Sequence, residues 1–404
     1  MQLLKMAWRD LGRNRRRSFF SMLALAVGLA LLLMMAAVVQ GEMRDAMTAS
    51  IKLQSGHLQV RDADYNPDKT SLKWEDLIEA PGTVAAQIAA LPQVEVATPR
   101  LYASGILAVG DTTVGVRVNG IDPASPANTP FREGLIDGDF PSADDRDGVL
   151  IGKALAEKYG LSVGDRANLM ANTSSGTVDE QVFVIRGIYS TKTPSFDEAN
   201  VFLPLAKAQA FTGAGDRASV VFVLLKDRDA ANAVAEALSG DAFTVVTWRQ
   251  TNELLASFEQ FSGAYMFVLY LIVLGITATV IINTLIMAVF ERTREIGIFS
   301  AIGMRGGRIM AMFFAESGLL ALGGIIMGML LGGAIVLYIA TYGIYLGNMG
   351  VTGVMIGETI YAYLTWNDAI MLTVMAFVIS LLAAVYPAIL AAQMQPVEAL
   401  RGGQ

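Results

Sequence analysis

Few side chains in this sequence could perform covalent or metal chemistry. The chain contains no cysteine and a single histidine, His57, so it can form neither a thiolate metal site nor a histidine cluster. No Gly-x-Ser-x-Gly elbow or comparable nucleophile context accompanies His57. We therefore expect His57 to be an exposed or capping residue, and we expect no catalytic, metal or cofactor site in this chain.

One segment resembles a phosphate-binding loop without meeting its requirements. Residues 148–154 read GVLIGKA, which is one residue short of the required spacing. Ala154 also stands where a Ser or Thr is needed to bind magnesium. Acidic side chains are numerous, but they lie in polar segments such as residues 144–147, for which a solvated loop is the default interpretation. The sequence thus predicts a protein without an ATPase site of its own.

One acidic side chain, Glu316, falls inside a long apolar run. It lies eight residues into that run, roughly 10 Å deep at about 1.5 Å per residue. Intramembrane acids are functional candidates by default. The alternative is a snorkelling or helix-capping carboxylate that pairs with a loop arginine such as Arg308. With no Lys or Arg partner in the apolar runs, an ion-coupled relay is poorly supported.

A charged amphipathic segment, residues 291–308 (ERTREIGIFSAIGMRGGR), lies between two long apolar runs. Ile296, Phe299, Ile302 and Gly303 recur at helical spacing, and charged residues supply the polar side. This pattern favours a short helix at the membrane surface. An ordinary positively charged loop between two spans is the alternative.

The composition indicates an integral membrane protein. Of the 404 residues, 53% are hydrophobic and 17% are charged, whereas soluble domains have about 25% charged residues. Four apolar runs are long enough to cross a bilayer. With their flanks, the predicted spans occupy residues 19–41, 261–290, 309–340 and 369–394.

The positions of the cations predict the orientation of these spans. Cations occur throughout residues 1–18, within residues 291–308 and at Arg401 in the tail 395–404, whereas the loop 341–368 contains none. Because cytoplasmic segments have an excess of cations, both termini are expected in the cytoplasm, with an amphipathic helix over residues 1–18. A cleaved signal peptide is the alternative, but the first apolar run is too long for one.

The region between the first two spans, residues 42–260, has a different composition. Residues 41–260 contain 30 acidic and 19 basic residues, with the patterning of a globular domain. Alternating and β-branched runs predict strands, including separate strands at 94–98 and 101–109. We expect an external α+β domain in two lobes. The membrane-proximal lobe comprises residues 42–118 with 218–258, and the distal lobe comprises residues 119–217.

The outer ends of the first two spans are bulky. Flexible apolar side chains suit a lipidic ligand, and they suit contact with membrane lipid equally well. Residues 249–262 are predicted as an unbroken helix that continues into the second span. The candidate residues for a substrate or lipid cavity are Met34, Met35, Met43, Met47, Phe258, Phe261, Tyr265 and Met266. In the third span, Gly324, Gly328 and Gly332 share one face, which allows close helix approach.

Several motifs together resemble one family of membrane proteins. They are residues 7–17 (AWRDLGRNRRR), 283–285 (NTL), 291–298 (ERTREIGI), 301–303 (AIG), 386–388 (YPA) and 395–402 (QPVEALRG). On these motifs the chain resembles the permease subunits of the MacB/LolC-LolE/FtsX family of ABC transporters. Residues 55–60 (SGHLQV) and 120–123 (GIDP) are most similar to the lipoprotein-releasing branch.

The resemblance implies a mechanism called mechanotransmission. Two permeases, identical or paralogous, pair in the bacterial inner membrane, and a cytoplasmic ABC ATPase dimer holds the ATP and magnesium. The substrate is a lipoprotein or another lipidic molecule, which passes to a periplasmic carrier and not across the membrane; no nucleic acid is involved. The resemblance implies that the ATPase contacts the coupling helix through Glu291, Arg292, Arg294, Glu295, Ile296, Gly297, Ile298, Ala301 and Gly303.

The chain departs from its resemblance in two places. It lacks the fused nucleotide-binding domain of the MacB branch, which favours a Lol-like or FtsX-like arrangement. The loop 171–181 is short and has no proline, unlike the hook with which one Lol permease recruits its carrier. Export of a small hydrophobic compound or peptide, and a regulatory scaffold for a periplasmic hydrolase, are the alternative functions.

Overall fold

The chain folds into two compact units. A computed structural model describes residues 9, 12–13, 15–66, 72–110, 112–240, 243–347 and 357–394. Unit 1 comprises the described parts of 1–42, 260–344 and 360–404, and unit 2 comprises those of 43–259 and 345–359. The predicted N-terminal amphipathic helix lies largely outside the described residues, and the tail 395–404 lies wholly outside them.

The helices and strands are numbered in chain order. The helices are α1 (Arg15–Ser50), α2 (Pro81–Ala89), α3 (Thr129–Glu133), α4 (Lys153–Tyr159), α5 (Pro194–Ala199), α6 (Leu205–Thr212), α7 (Ala231–Leu238), α8 (Trp248–Thr251), α9 (Glu253–Glu291), α10 (Thr293–Ala301), α11 (Gly306–Tyr342) and α12 (Trp366–Ala392). The strands are β1 (Leu58–Asp62), β2 (Ile78–Glu79), β3 (Val94–Val109), β4 (Thr112–Ile121), β5 (Leu135–Gly138), β6 (Gly148–Gly152), β7 (Arg166–Asn172), β8 (Val178–Tyr189), β9 (Asn200–Pro204), β10 (Arg217–Ala218), β11 (Val220–Leu225), β12 (Phe243–Thr247), β13 (Ile344–Tyr345) and β14 (Thr359–Ile360).

Unit 1 is helical. Within the described residues, four helices are long and apolar enough to cross a membrane, namely α1, α9, α11 and α12. This confirms the four predicted spans. Exposed aromatic side chains lie near the end of α11 and the start of α12, among them Tyr338, Tyr342 and Trp366. Such aromatic residues are typical of the boundary between lipid and water.

The glycines of α11 contact α1 closely. A Cβ atom placed on Gly328 would lie 3.0 Å from the backbone oxygen of Ala26 and 3.0 Å from Cβ of Leu29. One placed on Gly332 would lie 3.0 Å from Cα of Ala30. The predicted face of small residues therefore lets the two helix backbones approach each other.

Replacing Gly328 with alanine is expected to lower the free energy of unfolding by about 1–3 kcal/mol, because the added methyl group must displace α1. Gly333 is the matched control, since nothing lies within 4 Å of a Cβ atom placed there. Gly333→Ala is expected to be neutral or slightly stabilising. Thermal unfolding of the purified protein in detergent compares the two variants, and equal losses would contradict the close helix contact.

Unit 2 has a mixed sheet at its centre. The strand order is β12-β1-β11-β3-β4-β9-β6-β8-β5, and β7 pairs with both β3 and β8. Most neighbours are antiparallel, but β4 with β9 and β6 with β8 are parallel. One core cluster includes Leu107, Ile151 and Phe183, and a second includes Val223 and Trp248. Helices and sheet together give the predicted α+β content.

Two predictions about local structure were wrong. Residues 94–109 form one strand, β3, which continues through Pro99. Pro99 pairs with Val221 of β11 on one side, and the pairing of β3 with β4 on the other side begins only at Arg100. A missing N–H is tolerated at such an edge position. Residues 249–262 are not one helix, since Asn252 (φ −122°, ψ 62°) separates α8 from α9. A capping box of Thr247 and Gln250 fixes the start of α8.

Asp197, in the first turn of unit 2's short helix α5, is a buried carboxylate. It accepts hydrogen bonds from the backbone N of Thr191 (3.0 and 3.1 Å), from Thr191 Oγ1 (2.6 Å) and from Ser190 Oγ (3.2 Å). Burial and, more weakly, the neighbouring Glu358 carboxylate raise the pKa of Asp197 to about 6, against the effect of these hydrogen bonds. The backbone N of Glu358 donates to the carbonyl of Lys192 (2.9 Å). Lys192 itself has φ +59°.

The stability of unit 2 is expected to depend on pH through Asp197. Its folded-state pKa of about 6 lies above the value of about 4 in an unfolded chain. Protonation therefore stabilises the fold below about pH 4, and this contribution is lost as the pH rises through 6. Relative to wild type, Asp197→Asn should gain about 2–3 kcal/mol between pH 4 and pH 7. Denaturant titrations at both pH values measure the gain, and a constant difference would contradict it.

Candidate functional site

A single residue joins α9 to the short helix α10. Arg292 has φ −109° and ψ 15°, which ends α9 at Glu291 before α10 begins at Thr293. The Thr293 hydroxyl donates to the carbonyls of Val289 (3.2 Å) and Phe290 (2.8 Å) at the end of α9. Glu295 lies in the first turn of α10, where a negative charge stabilises a helix. The structure thus places a helix within the predicted coupling segment.

The other end of α10 requires a glycine. Gly303 has φ +92°, a conformation that side chains disfavour, and the backbone N of Met304 donates to the carbonyl of Phe299 (3.0 Å). The next helix, α11, begins at Gly306. Of the predicted coupling residues, Glu291, Arg292 and Gly303 therefore flank the helix, and the others lie within it.

The two faces of α10 have different environments. Ile296 is 1% exposed and packs in a cluster with Val289, Ile309 and Phe313 at the ends of α9 and α11. On the opposite side, Ile298 is 43% exposed and Ile302, just past the helix end, is 79% exposed. The predicted apolar stripe through Ile296 and Ile302 was therefore wrong as one surface, because the described helices pack against Ile296 and leave Ile302 exposed.

The exposed side of α10 also contains charged and small residues. Arg294, Ala301 and Gly303 are exposed beside Ile298, whereas Gly297 is buried with Ile296. Glu295 forms an exposed ion pair with Arg13, in which the Arg13 Nη2 atom lies 2.9 Å from Glu295 Oε1. The α10 outer face, defined as Arg294, Ile298, Ala301 and Ile302, can dock another protein through both apolar and charged contacts.

Glu316 pairs with the residue that joins α9 to α10. Arg292 Nη1 lies 3.6 Å from Glu316 Oε2, and each side chain is 3% exposed. The alternative prediction was that Glu316 pairs with a loop arginine such as Arg308. Arg308 is exposed, and the partner is Arg292. A buried ion pair of this kind strongly links its two elements, because losing either partner leaves an uncompensated charge. Here the elements are the start of α10 and the third turn of α11.

The sequence reasoning missed several polar contacts between the spans. The Ser317 hydroxyl of α11 donates to the carbonyl of Ser380 in α12 (3.0 Å), and the Ser21 hydroxyl of α1 donates to Thr284 Oγ1 of α9 (3.0 Å). Small hydroxyl residues inside apolar spans were the available signal, since they typically bond across helices. For Arg292, the signal was a cation at the end of one span that precedes an acid near the start of the next.

The candidates for a lipid cavity are divided between the two units. Met47 is buried in the core of unit 2, and Met43 packs against the same cluster. Met35 and Met266 pack against one helical core of unit 1, and Met34 packs against another. Phe261 and Tyr265 on α9 are exposed. The side chain of Phe258 lies outside the described residues. Among the candidates whose side chains the structure describes, Phe261 and Tyr265 are the most exposed.

The residues 148–154 that resemble a phosphate loop form the junction of β6 and α4. A Cβ atom on Gly152 would lie 1.9 Å from the carbonyl oxygen of Asp197, so the backbone of α5 occupies the space a phosphate would need. Lys153 points to Glu157, with 3.7 Å between Nζ and Oε1. This junction is a packed strand-to-helix turn of unit 2.

His57 has a structural role between strands. Its Nδ1 atom accepts a hydrogen bond from the backbone N of Leu225 (2.8 Å), and its carbonyl accepts one from the backbone N of Trp248 (3.1 Å). Burial lowers the pKa of His57, which keeps the ring neutral and able to accept. It is half-buried, where an exposed or capping residue was predicted.

Two family models match the chain in succession. The MacB-like periplasmic core domain matches residues 18–240, and the FtsX-like permease C-terminal domain matches residues 267–396. The second match contains α10, Arg292 and Glu316, so the geometry described above lies in the permease part of the chain.

Three relatives illustrate the similarity. The lipoprotein-releasing system transmembrane protein LolE of Haemophilus influenzae is 23% identical over 402 residues, with 94% of this chain and 93% of that protein covered. The corresponding LolC of Neisseria meningitidis serogroup B is 23% identical, with 96% and 95% covered. The macrolide export ATP-binding/permease protein MacB of Shewanella sp. strain ANA-3 is 25% identical, with 82% of this chain but 52% of that protein covered. Since one family model alone matches more than half of its length, the chain belongs to the MacB/LolC-LolE/FtsX family of ABC transporter permeases.

Proposed function

We propose that this chain is a permease that couples ATP hydrolysis on a separate cytoplasmic subunit to the extraction of lipoproteins from the outer leaflet of the inner membrane. The observation that carries this proposal is the α10 outer face, which presents Ile298 and Ile302 to solvent between two membrane helices. Exposed apolar side chains rimmed by charge are typical of protein docking sites. The opposite face, with Ile296, is packed onto the spans, so force applied to α10 reaches them.

In this proposal both termini and α10 are cytoplasmic, and residues 42–260 form the two-lobed periplasmic domain between α1 and α9. The cations of residues 291–308 and the excess of acids in residues 41–260 support this orientation. ATP and magnesium bind the partner ATPase, and this chain neither binds nor hydrolyses ATP. The packed turn at Gly152 supports that division of labour.

A second permease, identical or paralogous, would pair with this one. The exposed apolar side chains of α9 support such pairing, since no described part of this chain covers them; they include Phe261, Tyr265, Val268, Ile272 and Ile276. The same face offers Phe261 and Tyr265 to an acyl chain. In the absence of a second permease or a substrate, membrane lipid would cover this face of α9.

The substrate assignment is supported by the relatives named for lipoprotein release, which match over nearly their whole length. Residues 171–181, predicted as a loop, comprise the end of β7, a five-residue turn at 173–177 and the start of β8. In the turn, the Thr173 hydroxyl donates to the carbonyl of Thr177 (2.9 Å). A turn of this size offers little surface to a carrier. We therefore propose the partner type of permease, or a homodimer that uses another carrier.

Export of a small hydrophobic compound or peptide is the second candidate, favoured by the similarity to macrolide exporters. Depletion of the chain in its own bacterium distinguishes the two functions. Lipoprotein extraction predicts that outer-membrane lipoproteins accumulate in the inner membrane, as measured by membrane fractionation. Correct sorting together with increased drug sensitivity would overturn it in favour of export. Co-precipitation of a periplasmic hydrolase, with sorting intact, would instead favour a regulatory scaffold.

A further inference from the structure

Unit 2 contains a polar cavity of about 450 Å³. Three strands of the sheet line it, with Gln59 and Arg61 on β1, Tyr102 on β3 and Arg117 on β4. Gln54 and Glu253 also line it. A volume of this size accommodates a small molecule or the headgroup of a lipid.

A buried amide fixes one of the arginines at this cavity. Gln59 is 2% exposed, and its Oε1 atom accepts hydrogen bonds from Arg61 Nε (3.1 Å) and Arg61 Nη2 (2.7 Å). The Nε2 atom of Gln59 donates to the carbonyl of Gln54 (3.0 Å). Because both ends of the Gln59 amide are bonded, the Arg61 guanidinium is held in place before any ligand binds.

The second arginine lies over an aromatic ring. The Arg117 guanidinium lies 5.7 Å from the centroid of Tyr102, and Arg61 lies 5.7 Å from that of Tyr65. Among the residues that the structure describes, no carboxylate lies within ion-pair distance of Arg117. Burial and the neighbouring Tyr102 raise the pKa of Tyr65, so its hydroxyl stays protonated and can donate.

The charge of the lining is opposite to that of its surroundings. Arg61, Lys73 and Arg117 outnumber the carboxylates Asp76 and Glu253 at the cavity. Residues 41–260 as a whole contain 30 acidic and 19 basic residues. A local excess of cations in an acidic unit attracts anions, and arginine recognises carboxylate and phosphate oxygens particularly well.

We propose that this cavity binds an oxyanion, a phosphate or carboxylate, borne by a polar molecule or a lipid headgroup. Arg61 and Arg117 contact the oxyanion, and the Tyr65 and Tyr102 hydroxyls bond the rest of the polar group. This site is independent of substrate extraction at the spans.

Occupancy of the cavity would act on the ends of two long helices. Gln54 belongs to the π-helical turn Ile51–Ser55 that follows α1, and Glu253 is the first residue of α9. Just past that turn, Gly56 has φ +64°, and a Cβ atom there would lie 2.8 Å from the carbonyl of Val223. The backbone on one side of the cavity is thus fixed to β11, and a bound ligand would link it to the start of α9.

The test uses the full chain in nanodiscs and glycerol 3-phosphate as the soluble probe. In phosphatidylcholine nanodiscs, isothermal titration should give saturable binding of one probe molecule per chain. Arg117→Gln should weaken binding at least tenfold, and Arg61→Gln should do the same. Arg117 is exposed, so its variant should fold even if that of Arg61 does not. The matched control is Arg132→Gln, which removes an arginine that lies 5.3 Å over Phe140 outside the cavity and should leave binding unchanged.

A second arm distinguishes the source of the oxyanion. Phosphatidylglycerol nanodiscs should raise the melting temperature of wild type and Arg132→Gln but not of Arg117→Gln if a lipid headgroup is the ligand. Either soluble binding or this lipid effect, when lost in Arg117→Gln, supports the site. Absence of both, or an equal response of all variants, would overturn it. Neither arm involves lipoprotein sorting, so the result stands apart from the proposed function.

Discussion

Replacing Glu316 with leucine is expected to lower the free energy of unfolding by about 3–5 kcal/mol, because it removes the carboxylate that pairs with the buried Arg292 guanidinium. Arg292→Met should have a similar effect for the complementary reason. The two side chains lie 3.6 Å apart and are each 3% exposed, so water cannot compensate either charge. Reversible denaturation in mixed micelles measures the loss.

The double variant distinguishes the ion pair from ordinary packing. Arg292→Met combined with Glu316→Leu removes both charges, and it is expected to recover most of the stability. Additive losses from the two substitutions would show that the charges do not act together. The exposed pair of Arg13 and Glu295 is the control, since surface pairs contribute about 0–1 kcal/mol.

Truncation of two partly exposed side chains of α10, Ile298 of its outer face and the neighbouring Glu295, should separate ATPase binding from folding. Ile298→Ala combined with Glu295→Ala is expected to weaken docking of the ATPase by about 30-fold or more, as for loss of an interface hot spot. ATP hydrolysis should then continue without substrate release. Since Ile298 and Glu295 are at least partly exposed, the stability of the free chain should change by less than about 0.5 kcal/mol for each substitution. Pull-down and ATPase measurements on the reconstituted complex provide the readout.

The buried side of the same helix provides the control. Ile296 is 1% exposed, and Ile296→Ala should destabilise the chain by about 2–5 kcal/mol through the cavity it leaves. If Ile298→Ala destabilised the chain as much as Ile296→Ala, or left ATPase binding intact, α10 would not dock the ATPase through this face.

Long apolar runs made the spans predictable, because a helix that crosses a membrane must satisfy its own backbone. The strands of unit 2 were harder to predict. Residues 148–152 are buried on both faces of β6 and therefore show no alternation, and they were not among the predicted strands. The proline in β3 argued against a strand until its position at a one-sided edge was known. The helix break at Asn252 could not be predicted, because no Pro or Gly lies beside it in the sequence.

The position of the short helix was predictable, but its two faces were not. Helical spacing alone groups Ile296 with Ile302, and only the three-dimensional neighbours distinguish the packed residue from the exposed one. The same holds for Glu316, whose depth followed from counting residues while its partner did not. Arg292 and Arg308 are both cations close in sequence to the start of α11. Only Arg292, at the sharp junction between α9 and α10, has a buried side chain that reaches Glu316.

The connections at the two ends of α10 differ in length. One residue, Arg292, separates it from α9, whereas four residues, 302–305, separate it from α11. Fully extended, the first junction spans about 3.5 Å and the second roughly 13 Å. A displacement of α10 by more than a few ångströms must therefore pull α9 with it, while the longer junction could absorb it. The Arg292–Glu316 pair joins the same end of α10 to α11, so we expect a displacement of α10 to reach both neighbouring helices through its Arg292 end.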